Sequence, residues 1–384
     1  MKISNNIFYI GVNDHKIDLF EGQYIVPEGM AYNSYLIKDE KIAVIDSVDA
    51  NFSSEWLNNI EEVLGENKPD YLIVQHVEPD HSGSVISFTN KYPNATVVAS
   101  AKAFTFLKQF FGSDFNENRI VVADGSTLEL GNHTLNFVTA PMVHWPEVIM
   151  TYEENEKVLF SADAFGKFGA LDCENDDWAC EARRYYFGIV GKYGAQVQAL
   201  IKKLSSFDVS TICPLHGPVL NENLGYYLNL YDIWSSYGVE SEGVLICYTS
   251  IYGNTKKAVE LLADTLKENG CSKVVVNDLA RCDMAEAVED AFRYGKIVLA
   301  TTTYNGEIFP FMKTFIDALV ERSFKNKTVA IIENGTWAPM AKKTILKLLE
   351  TSKNITYTQN NVTINSSLSE NNIDEIKLLA KELI

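Results

Sequence analysis

The fold of the first half of the chain is decided by the stretch Tyr71-Leu72-Ile73-Val74-Gln75-His76-Val77-Glu78-Pro79-Asp80-His81. Its first four residues are apolar and predict a buried strand. Four side chains able to bind a metal follow within six positions, and they are His76, Glu78, Asp80 and His81. In an extended segment the first histidine and the glutamate point to the same side, whereas a turn at the proline directs the last two ligands to a second point nearby. The spacing therefore allows two adjacent metal ions.

Three further candidate ligands also follow predicted strands, and they are His144, Asp163 and His216. Each lies where a strand meets a loop, the position at which a rigid scaffold carries functional groups, so we expect all seven side chains to converge on one pocket. One metal would be bound by His76, Glu78 and His144. The other would be bound by Asp80, His81 and His216, with Asp163 bridging the two.

The other histidines and one early aspartate are not assigned to the metals. His15 and His133 lie outside the pattern, the second of them in a predicted hairpin turn, and both are expected to be solvated. Asp46 ends an apolar run and is expected to hold a loop in place behind the ligands. None of the three is included in the predicted site.

Composition and charge limit the class of protein. The chain has 384 residues, of which 46% are hydrophobic and 22% charged, as in soluble folded proteins with two or three domains. A net charge of −18 argues against binding to nucleic acid or to an anionic membrane surface. No apolar run approaches the roughly 18 residues of a membrane helix, and the first residues lack a signal segment, so a cytoplasmic location is expected. The six cysteines form no CxxC pair, which argues against a zinc ribbon or a rubredoxin site.

The strand pattern divides the chain in two. The first half alternates short β-rich runs with helices and predicts two mixed sheets, whereas the polar stretch 235–243 precedes regular β-α-β alternation. Four continuous apolar runs follow, at 244–248, 273–276, 297–300 and 329–332, as in parallel strands covered on both faces. We therefore predict one domain at 1–240 and a doubly wound α/β domain at 241–384.

The first loop of the second domain has the features of a phosphate site. It comprises Thr249, Ser250, Ile251, Tyr252, Gly253, Asn254 and Thr255, and a predicted helix follows it. Hydroxyls, backbone N–H groups and a helix N-terminus together attract an anion. The loop has neither the lysine of G-x-x-x-x-G-K-[ST] nor a G-x-G-x-x-G pattern, so a mononucleotide is favoured over an NTP or a dinucleotide.

Two later loops complete a predicted flavin site. The second contains Thr302, Thr303, Tyr304, Asn305 and Gly306, and the third contains Asn334, Gly335, Thr336 and Trp337. In a doubly wound sheet such loops meet beyond the carboxyl ends of the strands, so Tyr304 and Trp337 would flank a flat ring and FMN is the predicted ligand. The alternative is an empty module used only for docking.

The metal motif resembles that of the metallo-β-lactamase superfamily, H-x-H-x-D-H, with Glu78 in place of the second histidine. Carboxylates beside histidines suit redox-active iron better than zinc. The pattern H-x-E-x-D-H, followed by the distant His144, Asp163 and His216, is similar to that of flavodiiron proteins. This resemblance implies an N-terminal metallo-β-lactamase-like αββα sandwich and a C-terminal flavodoxin-like doubly wound parallel sheet.

The resemblance also implies a function. An external donor would reduce FMN, and FMN would reduce a di-iron centre that converts dioxygen to water, nitric oxide to nitrous oxide, or both, as a defence against oxidative and nitrosative stress. Dioxygen is the first choice of the two gases. Without a CxxC pair the donor would be separate, as rubredoxin is for minimal family members, although direct nicotinamide or deazaflavin donors also occur in the family. Family members generally form head-to-tail homodimers, sometimes tetramers.

Two other functions compete with this one. A zinc-dependent metallo-hydrolase would use a metal-bound hydroxide, with the flavodoxin-like domain serving for docking, but Glu78 argues against it. A non-catalytic electron carrier or gas sensor would use FMN alone, which the intact ligand set disfavours.

Overall fold

The computed structural model describes residues 2–173 and 177–384, which divide into two compact units. The first unit consists of Met1–Tyr186 and Ala195–Tyr231, and the second of Phe187–Gly194 and Asp232–Ile384. The functional domain boundary at residue 240 stays a prediction. No helix in these ranges is both long and apolar enough to span a bilayer.

The first unit begins with ten strands. They are β1 (Ile7–Tyr9), β2 (Val12–Asp14), β3 (Leu19–Phe20), β4 (Tyr24–Ile25), β5 (Met30–Tyr32), β6 (Tyr35–Ile37), β7 (Ala43–Ile45), β8 (Tyr71–Val74), β9 (Thr96–Ser100) and β10 (Arg119–Val122). Six form a sheet in the order β1-β6-β7-β8-β9-β10, antiparallel from β1 to β7 and parallel from β7 to β10. The parallel half follows from the helical crossovers between these strands. The four short strands pair as β2 with β5 and β3 with β4.

A second sheet of the first unit has five strands. They are β11 (Thr127–Glu129), β12 (Thr134–Thr139), β13 (Ile149–Glu153), β14 (Val158–Phe160) and β15 (Thr211–Cys213). They pair in sequence order, antiparallel up to β14 and parallel between β14 and β15. Both sheets are therefore mixed, as the sequence pattern predicts.

The two sheets share one apolar core. Tyr35, Ile45 and Ile73 of the six-stranded sheet belong to the same fully buried cluster as Phe137 and Phe160 of the five-stranded sheet. Among the described residues, seven α-helices accompany the sheets, namely α1 (Ser53–Leu64), α2 (Pro79–Ser82), α3 (Val85–Lys91), α4 (Ala101–Phe111), α5 (Trp178–Tyr185), α6 (Gly194–Leu204) and α7 (Leu224–Ser236). The last residues of α7 already belong to the second unit. This architecture is the predicted metallo-β-lactamase-like αββα sandwich.

The second unit is built on a parallel sheet. Its strands are β16 (Ser241–Tyr248), β17 (Val274–Asp278), β18 (Tyr294–Tyr304), β19 (Glu307–Ile308), β20 (Lys325–Asn334), β21 (Lys353–Tyr357) and β22 (Val362–Ile364). The order is β17-β16-β18-β20-β21, with β22 also pairing with β20, and every pair is parallel except β18 with β19. The helices are α8 (Asn254–Glu268), α9 (Met284–Arg293), α10 (Pro310–Glu321), α11 (Ala341–Leu348) and α12 (Glu370–Glu382). This is the doubly wound, flavodoxin-like fold that the sequence predicts.

Candidate metal centre and flavin pocket

His76 enters the metal site from the loop after β8, and its ring is held from behind. The ring is fully buried, and its Nδ1 lies 2.8 Å from Oε1 of the buried Glu147. Because a carboxylate accepts hydrogen bonds, Nδ1–H is the donor, which leaves the Nε2 lone pair facing the site. The same Glu147 oxygen accepts the N–H of Val77 at 3.1 Å, which fixes the loop.

His216 is oriented in the same way on the other side of the site. Its Nδ1 donates to the carbonyl oxygen of Ala31 at 2.7 Å, so its Nε2 also presents a lone pair. Behind the loop, Asp46 is buried and accepts hydrogen bonds from the backbone and side-chain nitrogens of Gln75 at 2.7 and 2.9 Å. Asp46 thus holds the segment that leads into the ligands.

One group of ligand atoms brings together His76, Glu78, His144 and Asp163. Oε2 of Glu78 lies 3.3 Å from Nε2 of His76 and 3.0 Å from Nε2 of His144. The two imidazole nitrogens are 3.3 Å apart. Oδ2 of Asp163 completes the group at 3.3 Å from Nε2 of His76 and 3.2 Å from that of His144.

A second group brings together Asp80, His81 and His216. The Nε2 atoms of the two histidines are 3.0 Å apart, and Oδ2 of Asp80 is 3.3 Å from each. Oδ1 of Asp163 faces this group, 3.1 Å from Nε2 of His81 and 3.7 Å from that of His216. The two carboxylate oxygens of Asp163 therefore face different groups, in the arrangement expected of a bridging ligand.

Two bound metal ions explain the arrangement of the ligand atoms better than direct contacts among the ligand side chains do. Nε2 of His76 faces Nε2 of His144 at 3.3 Å, and Nε2 of His216 faces Nε2 of His81 at 3.0 Å, so each pair of nitrogens must share either a proton or a metal cation. Both oxygens of Asp80 and of Asp163 are buried, and in the described part of the chain they have no partner in hydrogen-bonding geometry. Such orphaned oxygens are costly without a compensating charge. Four imidazoles with three carboxylates suit iron, which accepts both nitrogen and hard oxygen donors.

The electrostatics of these groups reflect the close packing of opposite charges. Burial alone would lower the pKa of His144, but Asp163 and Glu78 outweigh it and raise the pKa to about 9. Burial would raise the pKa of Glu78, yet hydrogen bonds and charge from His144 and His76 bring it far below its usual range. Burial likewise opposes a lowered pKa at Asp163, but the histidines around it prevail. Protons therefore take the place of cations in the metal-free site, and metal binding would displace them.

Aromatic rings surround the ligands. The ring centroid of Tyr185 lies 5.4 Å from that of His216, as does that of Phe20, and Trp145 lies 5.2 Å from His76. Burial raises the pKa of the Tyr185 phenol well above its usual range, with further contributions from the carboxylates of the site. These walls restrict water around the ligands.

The predicted flavin loops of the second unit line one cavity of about 480 Å³. Its lining includes Ser250, Ile251, Tyr252, Asn254, Thr255, Thr302, Thr303, Tyr304, Asn305, Gly306, Asn334, Gly335, Thr336 and Trp337. Thr249 and Gly253 do not line it. Thr249 is buried and shares a 2.7 Å hydrogen bond with Thr301, whereas Gly253 precedes α8 with φ +87° and donates its N–H to Ser250 Oγ. Both shape the loop from behind.

The cavity fits a flavin mononucleotide at both ends. The N-terminus of α8 and the hydroxyls of Ser250 and Thr255 form an anion cradle. At the mouth, Tyr252 and Trp337 are each 91% exposed, which is unusual for large aromatic side chains and leaves their faces free for a flat ring. The third flavin loop brings Gly335 so close to Pro339 that a side chain does not fit, since a Cβ there would lie 2.9 Å from the Cα of Pro339.

Several residues of the two sites lie outside the sequence prediction. Ala338, Met340 and Ser366 also line the flavin cavity, and Glu147 supports the metal ligands. The sequence does contain a signal for Ser366, because a pair of serines follows β22. The strands of a parallel sheet end at the same edge, so these serines are expected near the flavin loops. In the sequence, Glu147 is distinguished only by its position after His144-Trp145-Pro146. That position does not reveal that its side chain contacts His76.

The prediction that His133 is solvated is wrong. The side chain is fully buried, with Nδ1 at 2.8 Å from Glu153 and Nε2 at 3.1 Å from the amide of Asn6. The N-terminal segment covers the hairpin turn, a long-range contact that local sequence does not reveal. His15 is exposed, as predicted, and lies 3.1 Å from Asp172.

Two family models match consecutive parts of the chain. The model described as "ODP family beta lactamase" matches residues 30–217, and the model described as "Flavodoxin domain" matches residues 245–372.

Relatives and solved structures combine the same two parts. The chain is 30% identical to the anaerobic nitric oxide reductase flavorubredoxin of Vibrio vulnificus, over 87% of this chain and 70% of that protein. It is 29% identical to the nitric oxide reductase of Moorella thermoacetica, over 91% of this chain and 90% of that protein. The structure of rubredoxin oxygen:oxidoreductase from Desulfovibrio gigas matches with a TM-score of 0.92 at 25% identity, covering 100% of this chain and 97% of that one. The flavodiiron protein of Giardia intestinalis also matches with a TM-score of 0.92, at 26% identity, covering 100% and 96%.

These matches extend over both units. They include the segment that contains the seven converging side chains and the segment that contains the flavin cavity. The chain therefore belongs to the flavodiiron protein family.

Proposed function

We propose that this protein is an oxidoreductase in which an external donor reduces FMN, and FMN reduces a di-iron centre. Bound iron and flavin would together supply the electrons that convert dioxygen to water (four electrons and four protons) or two nitric oxide molecules to nitrous oxide and water (two electrons and two protons). The observation that carries this proposal is the placement of Asp163, whose two oxygens face separate groups of ligand atoms. Relatives named as nitric oxide reductases and as a rubredoxin oxygen:oxidoreductase support it.

The proposed iron ligands follow the two groups of side chains. His76, Glu78 and His144 would hold one iron. Asp80, His81 and His216 would hold the other, and Asp163 would bridge them. Glu147 and the Ala31 carbonyl keep two of the imidazoles in the tautomer that binds metal through Nε2.

The proposed flavin contacts use the three loops at the carboxyl edge of the parallel sheet. The first loop, from Ser250 to Thr255, would hold the phosphate at the N-terminus of α8. Trp337 would cover the ring, as the sequence predicts, and the loops at 302–306 and 334–337 would border it. For the second ring-flanking residue we propose Tyr252 in place of Tyr304, because Tyr252 is 91% exposed and Tyr304 only 43%. Thr249 and Gly253 would act by shaping the first loop rather than by lining the cavity.

The zinc hydrolase is a poorer match to these residues. Glu78 replaces a nitrogen donor by an oxygen donor and shifts the preference of the site toward iron. A hydrolase also gives no account of a cavity that fits a flavin in the same chain. An electron carrier or sensor gives no account of the seven converging ligands.

The identity of the gas and of the donor, the oligomeric state and the cellular location belong to the same proposal. Dioxygen is the first expected substrate and nitric oxide the second, and the names of the relatives support both. A separate rubredoxin is the expected donor, supported by the name of the Desulfovibrio gigas relative. A head-to-tail homodimer or tetramer is expected from the family, to be checked by the mass in solution. A cytoplasmic location suits the six free cysteines, because a reducing compartment keeps thiols unpaired.

Elemental and flavin analysis of the freshly purified protein tests the proposal first. Two irons and one FMN per chain would support it, zinc without flavin would favour the hydrolase, and flavin without metal the carrier. Anaerobic stopped-flow of the reduced protein against each gas then measures the preference. Faster reoxidation by nitric oxide than by dioxygen would reverse the expected order, and reoxidation by neither gas would refute the proposed function.

A further inference from the structure

Three side chains of the first unit that belong to neither site described above form another group of potential metal ligands. His15, Asp172 and Cys173 each offer one ligand atom, and the three atoms lie within 4.8 Å of one another. Nε2 of His15 is 3.1 Å from Oδ2 of Asp172, and the thiol of Cys173 donates to the carbonyl oxygen of Glu28 at 3.3 Å. We call these three side chains the His15 cluster. An imidazole, a carboxylate and a thiol are the three donor types that bind zinc in proteins.

The backbone brings the cluster together from segments that are distant in sequence. His15 directly follows β2, and the other two ligands lie in a loop that begins more than 150 residues later. The side-chain oxygen of Asn13 in β2 accepts the N–H of Leu171 in that loop at 3.0 Å. The carbonyl oxygen of Glu28 accepts the N–H of Ala170 at 2.8 Å. These hydrogen bonds attach the loop that carries two ligands to the strand that precedes the third.

A glycine permits the closest of these backbone contacts. A Cβ at Gly29 would overlap the carbonyl oxygen of Asp14 and would lie 3.3 Å from Cα of His15. The next residue, Met30 of β5, forms a parallel bridge with Gly169 at the start of the ligand loop. The segment before β5 therefore contacts both the backbone that carries His15 and the loop that carries the other two ligands. The relative positions of the three donors are thus fixed by main-chain contacts.

The charges around the thiol favour a cation. Partial burial raises the pKa of Cys173, and a hydrogen bond and negative charge from Glu28, together with the charge of Asp172, raise it further. The negative potential that disfavours a free thiolate attracts a divalent cation, which displaces the thiol proton when it binds. The side chains of His15 and Asp172 are 53% and 59% exposed, so an ion and its water can reach them from solvent.

We propose that His15, Asp172 and Cys173 form a zinc site, in addition to the seven proposed iron ligands, with water completing the coordination. Zinc bonds of about 2.0–2.3 Å place the ligand atoms of a tetrahedral site about 3.3–3.8 Å apart. The 3.1 Å between His15 and Asp172 and the upper limit of 4.8 Å within the cluster bracket this range. A thiolate ligand and the higher general affinity of zinc favour it over ferrous iron at this site. The bound ion would join the N-terminal strands to the ligand loop and so stabilise the first unit.

The test compares zinc binding by the wild-type protein and three single variants, all purified anaerobically with their cofactors. His15→Ala and Cys173→Ser each remove one ligand, and Cys271→Ser is the matched control. Cys271 is likewise partly buried and donates its thiol to a backbone carbonyl, that of Lys273, at 3.3 Å, but among the described residues it belongs to no ligand group. Zinc chloride is the probe, titrated calorimetrically. Iron and FMN contents before and after titration establish that zinc displaces neither, and circular dichroism establishes that the variants are folded.

We expect the wild-type protein and the control to bind zinc with the same affinity, and each ligand variant to bind it at least about tenfold more weakly. X-ray absorption at the zinc edge should show one sulfur at about 2.3 Å, with nitrogen and oxygen neighbours at about 2.0–2.2 Å. Excess zinc should raise the melting temperature of the wild-type protein and of the control, but not that of Cys173→Ser.

Equal zinc affinity in all four proteins, no zinc binding by the wild type, or a zinc shell without sulfur would overturn the proposed site. These measurements use no turnover. Their outcome is therefore independent of whether the protein reduces either gas.

Discussion

At the scale of single residues, the account depends on Glu78. Its Oε2 lies 3.0 Å from Nε2 of His144 and 3.3 Å from Nε2 of His76, so it shares a point with both imidazoles. A carboxylate at this position neutralises part of a metal charge and supplies a hard donor, whereas a histidine would do neither. The choice between iron and zinc chemistry therefore depends on this single side chain.

Replacing Glu78 by alanine should remove iron and turnover without removing the flavin. The variant loses one ligand of one metal group, while the flavin cavity lies in the other unit. Iron and FMN content, together with gas consumption after photoreduction, measure the result. The exposed Glu62→Ala on α1 serves as the control and should behave as wild type. Wild-type gas consumption by the Glu78 variant would contradict the assignment.

Glu147 should act by positioning His76 rather than by binding metal. Glu147→Ala removes the acceptor of the 2.8 Å hydrogen bond from Nδ1, so the ring loses its fixed orientation. Loss of such a supporting partner commonly weakens metal binding about 10- to 100-fold. Iron retention during competition with a chelator measures this, with the exposed Glu154→Ala as control. Equal retention by wild type and the Glu147 variant would show that the hydrogen bond has no such role.

At the scale of elements, sequence reasoning succeeded where one local pattern determines the structure. The apolar run Tyr71–Val74 gave β8 with its observed bounds. The seven candidate side chains come together in the structure, as expected, because the strand ends of such sheets are near one another.

The elements that were missed depend on contacts distant in sequence. The strands before β6 are two or three residues long and are defined by their partners, so their residues show no period. The edge strand β21 has no continuous apolar run, since it is covered on one side only. The segment at Pro79 was predicted as a turn and forms the short helix α2, with proline at its first position.

The loop at Gly335 should tolerate no side chain. A Cβ there would lie 2.9 Å from the Cα of Pro339 and 3.2 Å from Oγ1 of Thr303, so Gly335→Ala must shift the third flavin loop. We expect FMN affinity to fall by more than about tenfold, which a loss of about 1.4 kcal/mol produces. Fluorescence titration of the FMN-free protein measures the affinity. Gly225→Ala in α7 meets no atom within 4 Å and is the control. An unchanged dissociation constant in the Gly335 variant would show that this loop does not approach the flavin.

The buried Lys327 of β20 should make the stability of the second unit increase as the pH rises above neutral. Burial lowers its pKa to about 7, against a smaller opposing effect of Glu240, and its Nζ donates to the carbonyls of Phe292 and Tyr294 at 2.7 and 2.9 Å. In the unfolded chain the pKa is about 10.4. Between these two values the unfolded state binds more protons, so stability should rise with pH across this window.

Thermal unfolding of Lys327→Met tests this. Wild-type protein should show a melting temperature that rises between pH 7 and 9 relative to the variant, in which the dependence due to this group is absent. Identical slopes in the two proteins would mean that Lys327 remains charged in the folded state, held by its carbonyl partners.

At the scale of the whole molecule, two units of different fold are joined in one chain, and neither accounts for the proposed reaction alone. The first unit offers the candidate ligands and their aromatic walls, whereas the second offers the cavity lined by the three loops. Electron storage and gas chemistry are thus assigned to separate cores. Matches over 100% of the chain to solved flavodiiron structures agree with this division.

The most direct test of the central claim is a crystal of the anaerobically purified protein measured on both sides of the iron absorption edge. The account predicts two anomalous peaks per chain, one among His76, Glu78 and His144 and the other among Asp80, His81 and His216. Asp163 should lie between the peaks. A zinc signal at these positions, a single peak, or no peak within bonding distance of the seven side chains would contradict it.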